Sequence, residues 1–185
     1  LVQIGDPAVF DPTVTEMGGL LKAKALDDRL GCAVLLELTQ RPLPRDAWFV
    51  FTTQEEMGTR GARTAAWRIA PETAIVVEGT TAADLAGVAD GDAVCRVGGG
   101  VVIPFADGGT IYDRGLFSQA TATADAAGIP WQTKRRIAGG TDAAAIQRSR
   151  GGARVLGLAC ALRNIHSPAS IGSISDFNAV YWLTK

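Results

Sequence analysis

An α/β layered domain, with a mixed, mainly parallel sheet covered by helices on both faces, is the fold this sequence predicts. Three observations carry it. Short apolar runs with strand-like alternation are repeatedly followed by stretches whose apolar residues recur three and four apart. Charged and polar residues gather where each run ends, which is the edge at which open α/β sheets bind ligands. The chain has 185 residues, 47% of them hydrophobic and 20% charged, enough for one domain, residues 1–185, with a substantial core.

The elements follow in order. "LLKAKAL" from Leu20 alternates as a strand does and gives way at Asp27 to "DRLGCAVLLELTQ", where Leu30, Val34 and Leu38 recur at helical spacing. "AWFVFTTQ" from Ala47 is aromatic and β-branched enough for a central strand, and "RGARTAAWRI" from Arg60 reads as a helix ended by Pro71. "TAIVVE" is a buried strand stopping at Glu78. Gly87 to Gly109, rich in Gly and Asp, suggests short strands and turns at the sheet's edge. "RGLFSQATATADAAG" has Ala, Leu and Phe at helical spacing with Gly128 as its stop, and "PWQTKRRI" resembles an edge strand. "DAAAIQRSR" reads as a short helix and "ARVLGLACAL" as a buried strand. Ser173 with Asp176 resembles a capping box opening the last helix, "SDFNAVYWLTK".

Charge and cysteine content narrow the partners. Eighteen Lys and Arg against nineteen Asp and Glu give a formal net charge of -1, so no global field exists to hold nucleic acid or an anionic membrane. The apolar runs, such as "VLGLACAL", fall well short of the roughly 20 residues that span a bilayer. Cys32, Cys95 and Cys160 are scattered and odd in number, as expected of buried, reduced thiols in a soluble cytoplasmic protein. The chain opens on Leu1 rather than Met, and an upstream segment is expected.

Asp27, Glu55, Glu56, Glu78 and His166 all fall just after an expected strand. Singly, each has an ordinary structural reading: Asp27 or Asp28 as a helix cap, Glu55 and Glu56 as solvated loop charges, His166 as a loop residue. Together they are harder to dismiss. Adjacent carboxylates at the end of an apolar strand repel one another unless a cation is near. Carboxylates and one imidazole on one sheet edge make an oxygen-rich, nitrogen-containing site suited to zinc, cobalt or manganese. "GGTDAAAI" from Gly139 reads as a turn into a helix with Thr141 or Asp142 as cap; Gly140, Thr141 and Asp142 are also candidates for contacting substrate. "IYDRG" offers Asp113 and Arg114 either as a local salt bridge or as a wall of the site.

"KALDDRLGC", "TTQEEMGTRGA", "GGTDAAAI" and "RNIHSP", in this order, resemble the glutamyl aminopeptidase or cellulase M family of dinuclear metallo-aminopeptidases, and the resemblance runs from "IGDPAVF" onward. It implies a zinc-peptidase-like three-layer sandwich and removal of amino-terminal residues from peptides by a water held between two divalent metals. Carried over by motif, Asp27 bridges the metals, with Asp28 orienting its surroundings. Glu56 and His166 bind one metal, Glu78 the other, and Glu55 is the general base. Glu78 stands where the family often has Asp, and Asn164 where many members have Tyr. The resemblance further implies a homo-oligomer, an upstream H-x-D motif and an inserted β-rich domain. Because His166 is the only histidine, the chain is expected to be the carboxyl-terminal portion of a catalytic domain, lacking its first strands, inactive by itself and binding one metal tightly at most.

Two other functions compete. Paired carboxylates serve glycoside hydrolases, but these need two carboxyl groups roughly 5 to 9.5 Å apart across a sugar. Neighbouring Glu55 and Glu56 do not suggest opposed walls, and the four tryptophans are dispersed. A non-catalytic or degenerate subunit is the other reading, supported by the single histidine.

Overall fold

The computed structural model describes residues 1–185. Seven strands form one mixed sheet: β1 (Thr15–Met17), β2 (Leu20–Ala23), β3 (Thr73–Thr81), β4 (Val101–Val102), β5 (Trp131–Gln132), β6 (Arg154–Arg163) and β7 (Ser170–Ser173). Five helices pack around it: α1 (Leu26–Thr39), α2 (Arg60–Ile69), α3 (Arg114–Ala127), α4 (Ala143–Gln147) and α5 (Ile174–Thr184).

The centre of the sheet is the parallel β3–β6 ladder, in register from Thr73 opposite Arg154 to Thr81 opposite Leu162. That ladder occupies one edge of β6. The other edge is shared along its length by β4 at Ala159 and β7 at Leu162 and Arg163, both antiparallel. β4 pairs with β5 in parallel, whereas β1–β2 and β2–β7 are antiparallel. The sheet is thus mixed, as expected, with its parallel character confined to β3–β6 and β4–β5.

Strand alternation sends successive residues to opposite faces, and each face is covered. Val77, Leu156, Leu158 and Cys160 meet Val34 and Leu38 of α1, Ala120 of α3 and Val180 of α5. On the other face Val76 and Val155 pack with Tyr112 and Ala143, and Ala159 and Ala161 lie under Ala82, Val94 and Cys95. Cys95 and Cys160 are buried thiols, but Cys32 is exposed on the outer side of α1, where the helix turns it away from the core.

Several expectations change in detail. Ala47–Gln54 forms no strand: strand identity is a pairing property, and this stretch joins no ladder despite its β-forming composition. Val101 and Val102 are not at the sheet's edge but fully buried between β6 and β5. The Ser173 hydroxyl caps α5 by accepting from Ser175 N–H, but Asp176 does not complete a capping box. Its fully buried carboxylate instead accepts from Gly98 N–H (2.7 Å) and Gly100 N–H (2.8 Å), anchoring the glycine turn before β4 to α5. β7, which the sequence pattern did not announce, inserts between the His166 loop and α5. No helix is long and apolar enough to cross a membrane.

Candidate metal centre

The site is built from three chain segments and one strand interior. The first segment is the start of α1. Ala25 sits at φ 54°, and Asp27 and Asp28 keep non-helical backbone angles across a cis peptide bond. Asp28 is the capping residue, its Oδ1 accepting from Gly31 N–H at 2.9 Å. Asp27 carries no such duty and faces the other ligands. Gly31 permits this packing, since a Cβ there would lie 2.2 Å from Asp28 Oδ2 and 2.6 Å from the Val77 carbonyl oxygen. The Gly31→Ala variant is therefore expected to cost about 1–3 kcal/mol through overpacking, lowering Tm by about 2–12 °C in calorimetry of the metal-free chain. An unchanged Tm would show that α1 slides freely over β3.

The second segment is the turn before α2. Glu55 carbonyl oxygen accepts from Gly58 N–H (3.0 Å) and Thr59 N–H (2.8 Å), and Gln54, Gly58 and Thr59 all adopt positive φ. Glu55 and Glu56 ride on this tight turn. The third segment is the loop between β6 and β7. Asn164 and His166 adopt φ 54° and 57°, and the Asn164 carbonyl oxygen accepts from the hydroxyls of Ser167 (2.7 Å) and Ser170 (3.3 Å), holding the loop closed. Non-glycine residues at positive φ are uncommon, and five of the eight here, Ala25, Gln54, Thr59, Asn164 and His166, lie in these three segments. Glu78, expected to end its strand, lies inside β3 opposite Ala159; the strand runs on to Thr81.

These elements bring two donor sets together. Ligand-capable atoms of Asp27, Glu56 and His166 all lie within 4.8 Å of one another, as do those of Asp27, Asp28 and Glu78. His166 Nε2 is 3.2 Å from Asp27 Oδ2 and 3.4 Å from Glu56 Oε1. Asp27 belongs to both sets. Asp28, expected only to orient its surroundings, joins the second set as well as capping α1. Glu55 belongs to neither set.

The electrostatics test whether this donor chemistry fits divalent cations. Burial, and then the charges of Asp28 and Asp27, push the Glu78 carboxyl up to about 10. Burial pushes Asp28 up to about 8, with Asp27, Glu55 and Asp142 adding to it and the Gly31 N–H opposing it. Burial, then Asp142, Glu56 and Asp27, raises Glu55 to about 7, with His166 opposing. No Lys or Arg is among the largest influences on these three carboxyls, although the buried Lys134 feels the charge of Glu78. Such crowded acids ionise readily only with a cation among them, and an N,O donor set of this kind fits zinc, cobalt or manganese.

The expected substrate contacts fare differently. Arg114 is exposed at the start of α3, beside Asp113, whose carboxylate caps α3 and pairs with Arg154, not with Arg114. Arg154 begins β6, whereas Glu78 lies five residues along the neighbouring strand, roughly 16 Å at strand rise. Arg114 thus stands at the opposite end of the sheet from the carboxylates. Arg163 is committed to Asp84, with bonds of 2.8 and 2.9 Å.

Gly140 is in open space; the amides of Ala143 to Ile146 that open α4 are spent internally on Thr141 and Asp142 oxygens, whereas those of Gly140, Thr141 and Asp142 make no hydrogen bond within the chain. Thr141 Oγ1 accepts from Ala143 N–H and lies 3.3 Å from the Tyr112 hydroxyl. Asp142 is buried, and its Oδ2 accepts from Thr52 Oγ1 at 2.6 Å, a partner nothing in the sequence pointed to.

The sequence profile described as M42 glutamyl aminopeptidase matches residues 1–183. A putative aminopeptidase of Acetivibrio thermocellus is 35% identical over 180 residues, covering 96% of this chain and 54% of the relative. Aminopeptidase APDkam598 from the archaeon Desulfurococcus kamchatkensis superposes with a TM-score of 0.94 at 33% identity, over 99% of this chain and 53% of that one. The Pyrococcus horikoshii TET1 peptidase, described as assembling into a tetrahedron or a large octahedral shell, gives 0.78 at 27% identity, over 95% of this chain and 52% of that one. The chain spans about half the length of the relatives it matches.

Proposed function

The chain belongs to the M42 glutamyl aminopeptidase family, and from that premise we propose that its carboxylate cluster serves metal-dependent removal of amino-terminal residues from peptides. The observation that carries this reading is the sharing of Asp27 between two donor sets from which Glu55 is excluded. Asp27, Glu56 and His166 would hold one divalent ion, and Asp27, Asp28 and Glu78 would hold a second. When bound, such ions supply Lewis acidity toward the scissile carbonyl, an anchor for the free α-amine, and acidification of the attacking water.

The rest is done by the chain's own groups. Glu55, which lies outside both donor sets, takes the proton of the attacking water on a carboxylate oxygen and returns it to the leaving nitrogen. The αL backbone of His166 and the Gly31-backed seat of Asp28 fix the ligands before substrate arrives. Mutually close carboxylates, rather than two opposed across a sugar, favour peptide over glycoside hydrolysis. By analogy with the shell-forming peptidase, the protein works as a homo-oligomer on peptide substrates.

With one imidazole in 185 residues, the second set is all carboxylate. Residues 1–185 alone are therefore expected to bind one ion tightly and to turn over little. The test is to measure bound zinc and cobalt, and hydrolysis of aminoacyl chromogenic substrates, for this chain and for the gene product carrying it. Activity in the gene product should vanish with a chelator and return with zinc or cobalt. Absence of hydrolysis with every divalent metal tried would sink the enzyme reading.

A further inference from the structure

We propose that the Thr52–Asp142 hydrogen bond is a tether that positions the Glu55–Glu56 turn, making Thr52 and Asp142 positioning residues for the general base; this rests on the function proposed above. The turn needs such a device because the stretch that leads into it, Ala47–Gln54, joins no sheet ladder. Its backbone is fixed on one side by α2, where Gly61 N–H donates to the Thr53 carbonyl oxygen (2.9 Å) and Arg60 N–H to that of Gln54 (3.3 Å). Thr53 and Gly61 are so close that a Cβ on Gly61 would lie 2.4 Å from the Thr53 oxygen. The only side-chain bond tying Thr52, three residues before Glu55, to the rest of the molecule is the 2.6 Å contact with Asp142.

Asp142 is placed for that role rather than for capping. Thr141 performs the cap of α4, so the Asp142 carboxylate is left to reach across ninety residues of sequence to Thr52. It is 7% exposed, and its second oxygen has no hydrogen-bond partner. A buried carboxylate held by a single hydroxyl is a costly way to stabilise a fold. It is well explained as a rigid post for the turn. The post itself is braced, because Thr141 contacts the Tyr112 hydroxyl, which donates to Asp107 Oδ2 at 2.7 Å in the interior.

The experiment has two arms. In residues 1–185, amide hydrogen exchange is followed at Gly58, Thr59 and Gly61, whose bonds define the turn. Thr52→Val should raise their exchange roughly tenfold, and Thr52→Ser should keep wild-type protection. Asp142→Ala should match Thr52→Val, with no added effect in the double variant. In the gene product at saturating zinc, Thr52→Val should lower kcat roughly 10- to 100-fold with KM nearly unchanged, and Thr52→Ser should restore it. Unchanged exchange in Thr52→Val, additive single effects, or a fall in Tm with kcat intact would each overturn the tether. If the wild type hydrolyses nothing, the aminopeptidase reading fails while the exchange arm still decides whether the tether exists.

Discussion

Replacing Glu55 by Gln is expected to lower kcat by roughly 10²- to 10⁴-fold while leaving bound metal and KM close to those of the wild type. Glutamine keeps the size and hydrogen-bonding shape of the side chain but cannot take up a proton. Glu55 stands outside both donor sets, so its loss removes proton transfer without removing a ligand. In the metal-free chain partial burial first, then the charges of Asp142, Glu56 and Asp27, bring its carboxyl up to about 7, and cations held by Glu56 and Asp27 would lower it from there, leaving a carboxylate able to accept a proton. The neighbouring Glu56→Gln variant should instead weaken metal binding and restore with added zinc. Parallel loss of metal and activity in Glu55→Gln would mean that Glu55 is a ligand, and the division of labour between the two glutamates would have to be abandoned.

In the gene product carrying this chain, Asp27→Ala should abolish tight binding at both donor sets, whereas His166→Ala should weaken one. The contrast is what makes the experiment informative, because only a shared carboxylate predicts it. Loss of a direct ligand should exceed the 10- to 100-fold typical of outer partners, so the zinc affinity of Asp27→Ala should fall by more than about 100-fold.

Thermal melts give an independent reading. Zinc at a hundredfold excess over its Kd stabilises a protein by about 2.7 kcal/mol, and Asp27→Ala should lose that gain. Without metal the sign reverses. Asp28 and Glu78 have carboxyls raised from 3.8 and 4.5 to about 8 and about 10. Their contribution is present below about pH 4 and is lost as pH rises toward the raised values. The metal-free wild type should therefore lose stability across that window, and Asp27→Ala, which relieves part of the repulsion, should lose less. Equal metal content in the Asp27→Ala and His166→Ala forms of the gene product would refute a shared ligand.

Much of the architecture was legible where a local pattern suffices. The "RGARTAAWRI" periodicity matches α2 at Arg60–Ile69, Gly128 terminates α3 in the left-handed conformation, and the "RVLGLACAL" run is buried along β6. The failures share a cause. "AWFVFTTQ" has strand composition but no partner in this chain, whereas β7 has little strand signal and pairs because β2 and β6 flank it. Ser173 and Asp176 have capping-box spacing, yet the Asp176 carboxylate finds better donors in the Gly98–Gly100 turn, which is 76 residues away or more. Arg114 lies in a suggestive "IYDRG", but its place at the amino end of the sheet separates it from the carboxylates.

By itself the sequence determined the fold class and the family and offered the side chains proposed to act: an apolar pattern of period two or 3.6 encodes elements, and acids following buried runs suggest a cation-requiring edge. Only the tertiary structure decided how those side chains lie relative to one another. It set Asp27 between two donor sets, turned Asp28 to cap α1 while joining one of them, and left Glu55 outside both. It also joined Thr52 to Asp142 across ninety residues. Such assignments depend on distances between atoms remote in the chain, and on which donors and acceptors burial leaves available, neither of which a linear pattern carries.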